Sequence, residues 1–125
     1  MDNTAVISIG SNIDAALNIS RMLQILEVNL RIIRLSGFRQ TSPVGVTNQP
    51  DFTNRAVKVE TTMKLEDLKL FLKSVEDQLG RDRSQARFGP RTMDLDIIVW
   101  NGKIIDNDYY THDFVRQFVD EILIE

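Results

Sequence analysis

Residues 81 to 105 read Arg81-Asp-Arg-Ser-Gln-Ala-Arg-Phe-Gly-Pro-Arg-Thr-Met-Asp-Leu-Asp-Ile-Ile-Val-Trp-Asn-Gly-Lys-Ile-Ile105, a basic loop running into a strand and a hairpin. Gly89-Pro90 halts any helix, and Pro90 pushes the residue before it toward extended geometry. Asp94 to Trp100 then continues in apolar, β-branched residues, the signature of a buried strand. Asn101-Gly102 is a two-residue hairpin turn that sends the chain back through Lys103-Ile-Ile105. On a strand alternate side chains share a face, so Asp94 and Asp96 point the same way, roughly 6.5 to 7 Å apart.

Working outward, Leu65, Leu68, Leu72, Val75 and Leu79 form one stripe of a helix, with Gly80 placed to end it. Before it, Phe52 to Thr61 alternates as a strand, Val57 and Val59 on one face and Lys58 and Glu60 on the other. Thr41 to Pro50 holds two prolines and a glycine and is a loop. Arg31 to Gln40 reads as a strand with a bulge at Gly37. Ala5 to Gly10 is a first strand; Gly10 serves its turn into a helix that starts near Ile13, capped by Ser11 or Asn12. Strand, helix, strand, strand, helix, strand and hairpin strand is the order of a ferredoxin-like α+β sandwich, an antiparallel sheet with both helices on one face. Residues 1–125 are expected to form one domain.

Composition narrows the chemistry. The chain of 125 residues is 42% hydrophobic and 26% charged, ordinary for a globular protein. It has no cysteine, which excludes a disulfide framework and thiolate metal sites and suits a cytoplasmic location. Met1 to Thr4 shows no secretory pattern, and no apolar run reaches membrane-spanning length. A net charge of −3 gives a nucleic-acid partner no global support, so the arginine loop is a local exception suited to a small polyanion.

Two carboxylates on the leading edge of a strand repel each other and are costly to desolvate unless a cation sits between them. Mg²⁺ takes oxygen ligands and is held by one or two carboxylates together with waters and phosphates. Arg81, Arg83, Arg87 and Arg91 supply the complementary phosphate-gripping forks. The competing reading is a solvated basic loop whose arginines pair with the aspartates as structural salt bridges.

The run Arg87-Phe-Gly-Pro-Arg-Thr-Met-Asp-Leu-Asp-Ile97 resembles the signature of the 6-hydroxymethyl-7,8-dihydropterin pyrophosphokinases. Gln49-Pro-Asp-Phe-Thr-Asn54 and Ile9-Gly-Ser-Asn12 are further matches in the family's order, so the resemblance spans roughly residues 4–105. It implies transfer of the β,γ-pyrophosphoryl unit of ATP to the hydroxymethyl oxygen of a dihydropterin, with release of AMP and two Mg²⁺ ions held by Asp94 and Asp96. It gives Arg81 and Arg91 the phosphates, and Arg83 and Arg87 basic positions on a mobile loop. Asn54 corresponds to the pterin-binding asparagine, Phe52 to an aromatic position, and Thr41 and Val44 to upstream loop positions. Glu76 corresponds to a glutamate near the adenine; on the residues alone it is a solvated helix position, Asn54 a turn residue and Phe52 core.

The chain departs from the family in two places. Phe88 stands where the family usually has tryptophan, keeping a stacking face without the indole N–H. Thr111-His-Asp-Phe-Val-Arg-Gln-Phe118 is a shortened form of a longer Pro-His segment, and aligns His112 and Arg116 with ATP-binding positions and Phe118 with a pterin-stacking aromatic once a gap is allowed. Taken alone, His112 is a surface residue paired with Asp113. The shortened tail leaves open a divergent homologue that binds nucleotide or pterin with little turnover. An RNA-binding module on the same sandwich is disfavoured by acidic charge and by the lack of paired exposed aromatics. The expectation is a monomeric Mg²⁺-dependent enzyme with no nucleic-acid or membrane partner.

Overall fold

The computed structural model describes residues 3–43, 48–80 and 92–123. Its elements are β1 (Asn3–Ser11), α1 (Ala15–Asn29), β2 (Arg31–Leu35), β3 (Arg39–Thr41), β4 (Phe52–Thr61), α2 (Leu65–Gln78), β5 (Asp94–Trp100), β6 (Lys103–Ile104), α3 (Asp108–Thr111) and α4 (Asp113–Leu123). The sheet runs β2-β4-β1-β5-β6, with β3 also on β4, and every pairing is antiparallel. Alternation along the central strands sends Ala5, Ile7, Ile9, Val57, Val59, Leu95 and Ile97 to one face, where they meet Ile19, Met22 and Leu26 of α1 and Leu68, Leu72 and Val75 of α2. This is the expected ferredoxin-like α+β sandwich.

The opposite face is covered by a helix that the strand and helix patterns had not announced. Val115, Phe118, Val119 and Ile122 of α4 pack on Val6, Ala56, Ile98 and Val99. An 11-residue helix is marginal alone, and burying four such side chains at ~1.5 to 3 kcal/mol each is what holds it. The sheet accommodates it by a bulge: β1–β5 pairing slips between Val6/Val99 and Ile7/Ile97, so Ile98 has no opposite residue, and Ile98 and Val99 both reach the α4 side.

Local chemistry sets the element ends. Asn101 and Gly102 both have positive φ (49° and 80°), the geometry of the hairpin turn expected of that pair, and Gly80 at φ 87° follows α2 as its terminator. Three expectations are corrected. Arg31 to Gln40 is two strands parted at Ser36 to Phe38, and the register shift lies between Ile32 and Arg34 rather than at Gly37. Ser36 Oγ accepts the Ala56 N–H at 2.8 Å, the bond that turns the chain from β2 to β3. Neither Ser11 nor Asn12 caps α1: Asp14 stands at its N-cap with φ 44° and no side-chain bond, while Asn12 Nδ2 donates to Gln49 Oε1 (2.8 Å) and the Pro50 carbonyl (3.0 Å), tying the helix entry to the loop before β4. Gly10 lies within β1 rather than at the turn after it. Among the described residues no helix is long and apolar enough to cross a membrane.

Candidate active site

Two rows of the sheet build the site. Asn54 on β4, Gly10 on β1 and Asp94 on β5 are paired in one row, and Ala56, Ser8 and Asp96 in the next. Paired residues of an antiparallel sheet share a face, so Asn54, Asp94 and Asp96 point to the side that α4 covers farther along, at Val6 and Ala56. The hydrophobic contacts of α4 lie on the Val6–Ala56–Ile98 half. Beyond them the same strands turn polar.

Gly10 is needed for its missing side chain. A Cβ there would lie 3.3 Å from Asn54 Oδ1 and 3.8 Å from Phe52 Cδ1, so glycine lets both side chains lie against β1. Asn54 is 6% exposed, and its Nδ2 donates to Thr41 Oγ1 at 2.8 Å and to the Arg39 carbonyl at 3.1 Å. Those two acceptors fix which way the amide points, with Oδ1 toward Gly10. Three residues expected at a pterin subsite, Thr41, Phe52 and Asn54, are thus in one neighbourhood, and Asn54 is a strand residue with a satisfied amide rather than a turn residue.

On the other side of Gly10, Asp94 and Asp96 are half-buried and line a cavity of about 550 Å³ together with Lys69 and Lys73 of α2, Ile105 and Asp106. The Asp96 carboxyl is pushed up to about 7 from 3.8, first by burial and then by the neighbouring charges of Asp94, Asp106, Asp108 and Glu76. Asp108 is raised as well, by burial and by Asp106, with His112 acting against them. Among the described residues no group of three or more His, Cys, Asp or Glu forms a ready cage for a metal. The donor set is a pair of hard oxygen ligands on one face of a strand, and that fits Mg²⁺, which completes its shell with water and phosphate.

Glu76 is not solvated. It is 4% exposed on α2, and its Oε2 accepts the Leu95 N–H at 2.8 Å, between the two aspartates. His112 pairs with Asp108 (Nε2 to Oδ1, 3.6 Å) and not with Asp113, whose Oδ1 instead accepts from Arg116 Nη2 at 2.8 Å. Phe118 is 6% exposed in the α4 core, its ring 6.1 Å from that of Phe114. Arg81, Arg83, Arg87, Phe88, Arg91 and Val44 lie outside the described residues. Sequence reasoning missed Lys69, Lys73 and Asp106. The lysines stand four apart on α2, a spacing that puts both on one helix face, and that was the available signal.

The family model for 7,8-dihydro-6-hydroxymethylpterin-pyrophosphokinase matches residues 6–123. The chain is 34% identical over 111 residues to the 2-amino-4-hydroxy-6-hydroxymethyldihydropteridine pyrophosphokinase of Bacillus subtilis, covering 86% of this chain and 66% of that protein. It is 37% identical over 117 residues to the protein of the same name from Haemophilus influenzae, covering 86% of this chain and 69% of the relative. A folate synthesis bifunctional protein of Arabidopsis thaliana is 35% identical over 105 residues, 82% of this chain but 22% of that longer protein. The chain therefore spans about two thirds of the two bacterial relatives and about a fifth of the plant one.

Proposed function

We propose that this chain, which belongs to the 7,8-dihydro-6-hydroxymethylpterin-pyrophosphokinase family, transfers pyrophosphate from ATP to the hydroxymethyl group of 6-hydroxymethyl-7,8-dihydropterin. The hydroxymethyl oxygen forms a bond to the β-phosphorus, the bond from that phosphorus to the α-phosphate oxygen breaks, AMP leaves, and the hydroxyl proton passes to solvent.

The observation that carries this reading is the row Asn54–Gly10–Asp94. It sets an oriented amide and a phenyl ring on one side of a bare glycine and two carboxylates on the other, on one face of one sheet. Two strand spacings separate Asn54 from Asp94, ~10 Å at ~4.8 Å each, the span of a bicyclic heterocycle and its hydroxymethyl arm. Thr41 Oγ1 and the Arg39 carbonyl take the N–H donors of the Asn54 amide, which leaves its Oδ1 as an acceptor for a donor on the pterin edge, and Phe52 offers its ring beside it. Asp94 and Asp96 would hold Mg²⁺, which would supply positive charge for the phosphate oxygens. Lys69 and Lys73 add positive charge along the cavity wall for the nucleotide. By charge and resemblance Arg81, Arg83, Arg87 and Arg91 of the stretch before β5 would supply phosphate forks, with Phe88 as a second ring, and His112 and Arg116 would serve the nucleotide. Binding in the right relative pose and charge neutralisation supply most of the rate, because phosphoryl transfer asks the protein for little covalent chemistry.

An assay of AMP release from ATP, Mg²⁺ and the hydroxymethyl-dihydropterin tests the reading. AMP formation that disappears in the Asp94→Ala, Asp96→Ala double variant supports it. Wild-type protein that binds ATP analogue and pterin by calorimetry but releases no AMP would instead make the chain a binding module.

A further inference from the structure

Glu76 sits where a helix core position is expected to be apolar: it neighbours Val75 and lies among Leu68 and Leu72 in the buried set of α2. Burying a carboxylate costs several kcal/mol unless hydrogen bonds compensate it, so packing against the sheet does not explain its presence. Its partner does. Strand β6 pairs with β5 at Val99 and Trp100, and among the described residues no strand lies on the outer edge of the Asp94–Ile97 part of β5. In an antiparallel ladder the N–H groups of successive residues point to opposite edges. The Leu95 N–H goes outward to Glu76, so the backbone groups of Asp94 and Asp96 face β1, where they stand opposite Gly10 and Ser8.

We infer that Glu76 is a positioning residue: by accepting the Leu95 N–H it pins the outer edge of β5, while β1 pins the inner edge, and so holds Asp94 and Asp96 at a fixed separation on one face. This deepens the proposed function and rests on those two carboxylates being the cation ligands. A hydrogen bond from a backbone N–H to a carboxylate is charge-assisted and among the stronger ones, and it is made by a rigid helix rather than by a loop. Glu76 acts through Leu95 and needs no contact with substrate.

The test uses the whole chain and three substitutions. Glu76→Gln keeps an acceptor oxygen of the same reach, Glu76→Met keeps the volume without an acceptor, and Glu76→Asp keeps the charge but withdraws the oxygen by one methylene. Amide hydrogen exchange at Leu95, read by NMR on metal-free protein, is expected to be slow in wild type and Gln and faster in Met and Asp. The Mg²⁺ concentration that half-saturates binding of a non-hydrolysable ATP analogue is expected to rise ~10- to 100-fold in Met, the usual range for losing a group that orients a metal ligand, and far less in Gln. Equal impairment of Gln and Met would overturn the inference in favour of a charge role, and unchanged exchange in Met would overturn it outright. Should Met fail to fold, Asp decides: Leu95 exchange in Asp no faster than in Gln also overturns it. Failure of the proposed function looks different, because it is wild-type protein without AMP release, whereas failure of this inference leaves wild-type turnover intact and shows only in the comparison of the variants.

Discussion

One face of the sheet has two halves that differ only in what side chains the same three strands place there. At Val6, Ala56, Ile98 and Val99 the residues are apolar and α4 lies on them; two to four residues along, at Gly10, Asn54, Asp94 and Asp96, they are polar or absent. The covered half lowers the free energy of the fold. The polar half raises it, since two half-buried carboxylates repel each other and their acidic neighbours. The difference teaches that stability and activity are separable here by position along a strand, and each of the following experiments presses on one half and watches the other.

The largest effect is expected from Asp96→Ala. Loss of a ligand that places charge at the phosphates is expected to lower AMP release by ~100- to 1,000-fold, as for other groups that stabilise developing charge. The same variant is expected to melt no lower than wild type in the absence of Mg²⁺, because a repelled, partly desolvated carboxylate is removed. Melting followed by circular dichroism checks this, and a clear drop would mean that Asp96 supports the fold and that the two halves are not independent.

Ile122→Ala attacks the other half. Ile122 of α4 is fully buried, and its truncation is expected to destabilise the protein by ~2 to 5 kcal/mol in urea titrations. Turnover per folded molecule is expected to stay within about twofold, since Ile122 belongs to an apolar cluster of which Asn54, Asp94 and Asp96 are not members. Arg39 of β3 bridges the halves, hydrogen-bonded to Gln117 of α4 by its side chain and to Asn54 by its carbonyl. A fall in pterin affinity in Ile122→Ala would show coupling through that residue.

Gly10→Ala is a smaller and more pointed change. The new methyl would press on Asn54 Oδ1 at 3.3 Å, against an amide already fixed by Thr41 and Arg39. The expected result is a rise of roughly tenfold in KM for the pterin, about 1.4 kcal/mol, with KM for ATP little changed. Equal changes in both constants would place the pterin elsewhere.

How much of this was legible in the sequence follows the range of each interaction. Asn101-Gly102, Gly80 and the Leu65 to Leu79 stripe are local signals, and the structure has the turn, the terminator and the helix there. The paired aspartates on one face follow from strand period alone. The break at Ser36 depends on a bond to Ala56, 20 residues away, and no local pattern carries it. Glu76 looked like a solvated residue because its partner is a backbone N–H 19 residues on, and a backbone donor leaves no mark in a sequence. Gly10 reads as a turn glycine until β4 is laid beside it. Phe118 is instructive in the opposite way. Val115, Phe118, Val119 and Ile122 do carry a helical period, so its place on the buried stripe of α4 was there to be read, but only alignment was applied to it. The arginines of 81–91 fall outside the described residues, and their roles rest on charge and resemblance.

The smallest effect is a pH dependence confined to the polar half. In the folded, metal-free protein Asp96 holds its proton up to about 7, whereas in the unfolded chain it releases it near 3.8. Between those values the native state carries a proton that the unfolded state has lost, so this group contributes stability at low pH that fades as pH rises through the window. Metal-free protein is therefore expected to lose part of its melting temperature between about pH 4 and about pH 7, and Asp96→Asn to flatten that loss. Mg²⁺ with ATP analogue is expected to reverse the trend, stabilising more at the higher pH, because protons compete with the cation for the carboxylate. Ile122→Ala, which touches no titrating group, is expected to shift the whole curve downward without changing its slope. A slope that changes with Ile122→Ala and survives Asp96→Asn would move the titrating group out of the site and join the two halves that the strands otherwise keep apart.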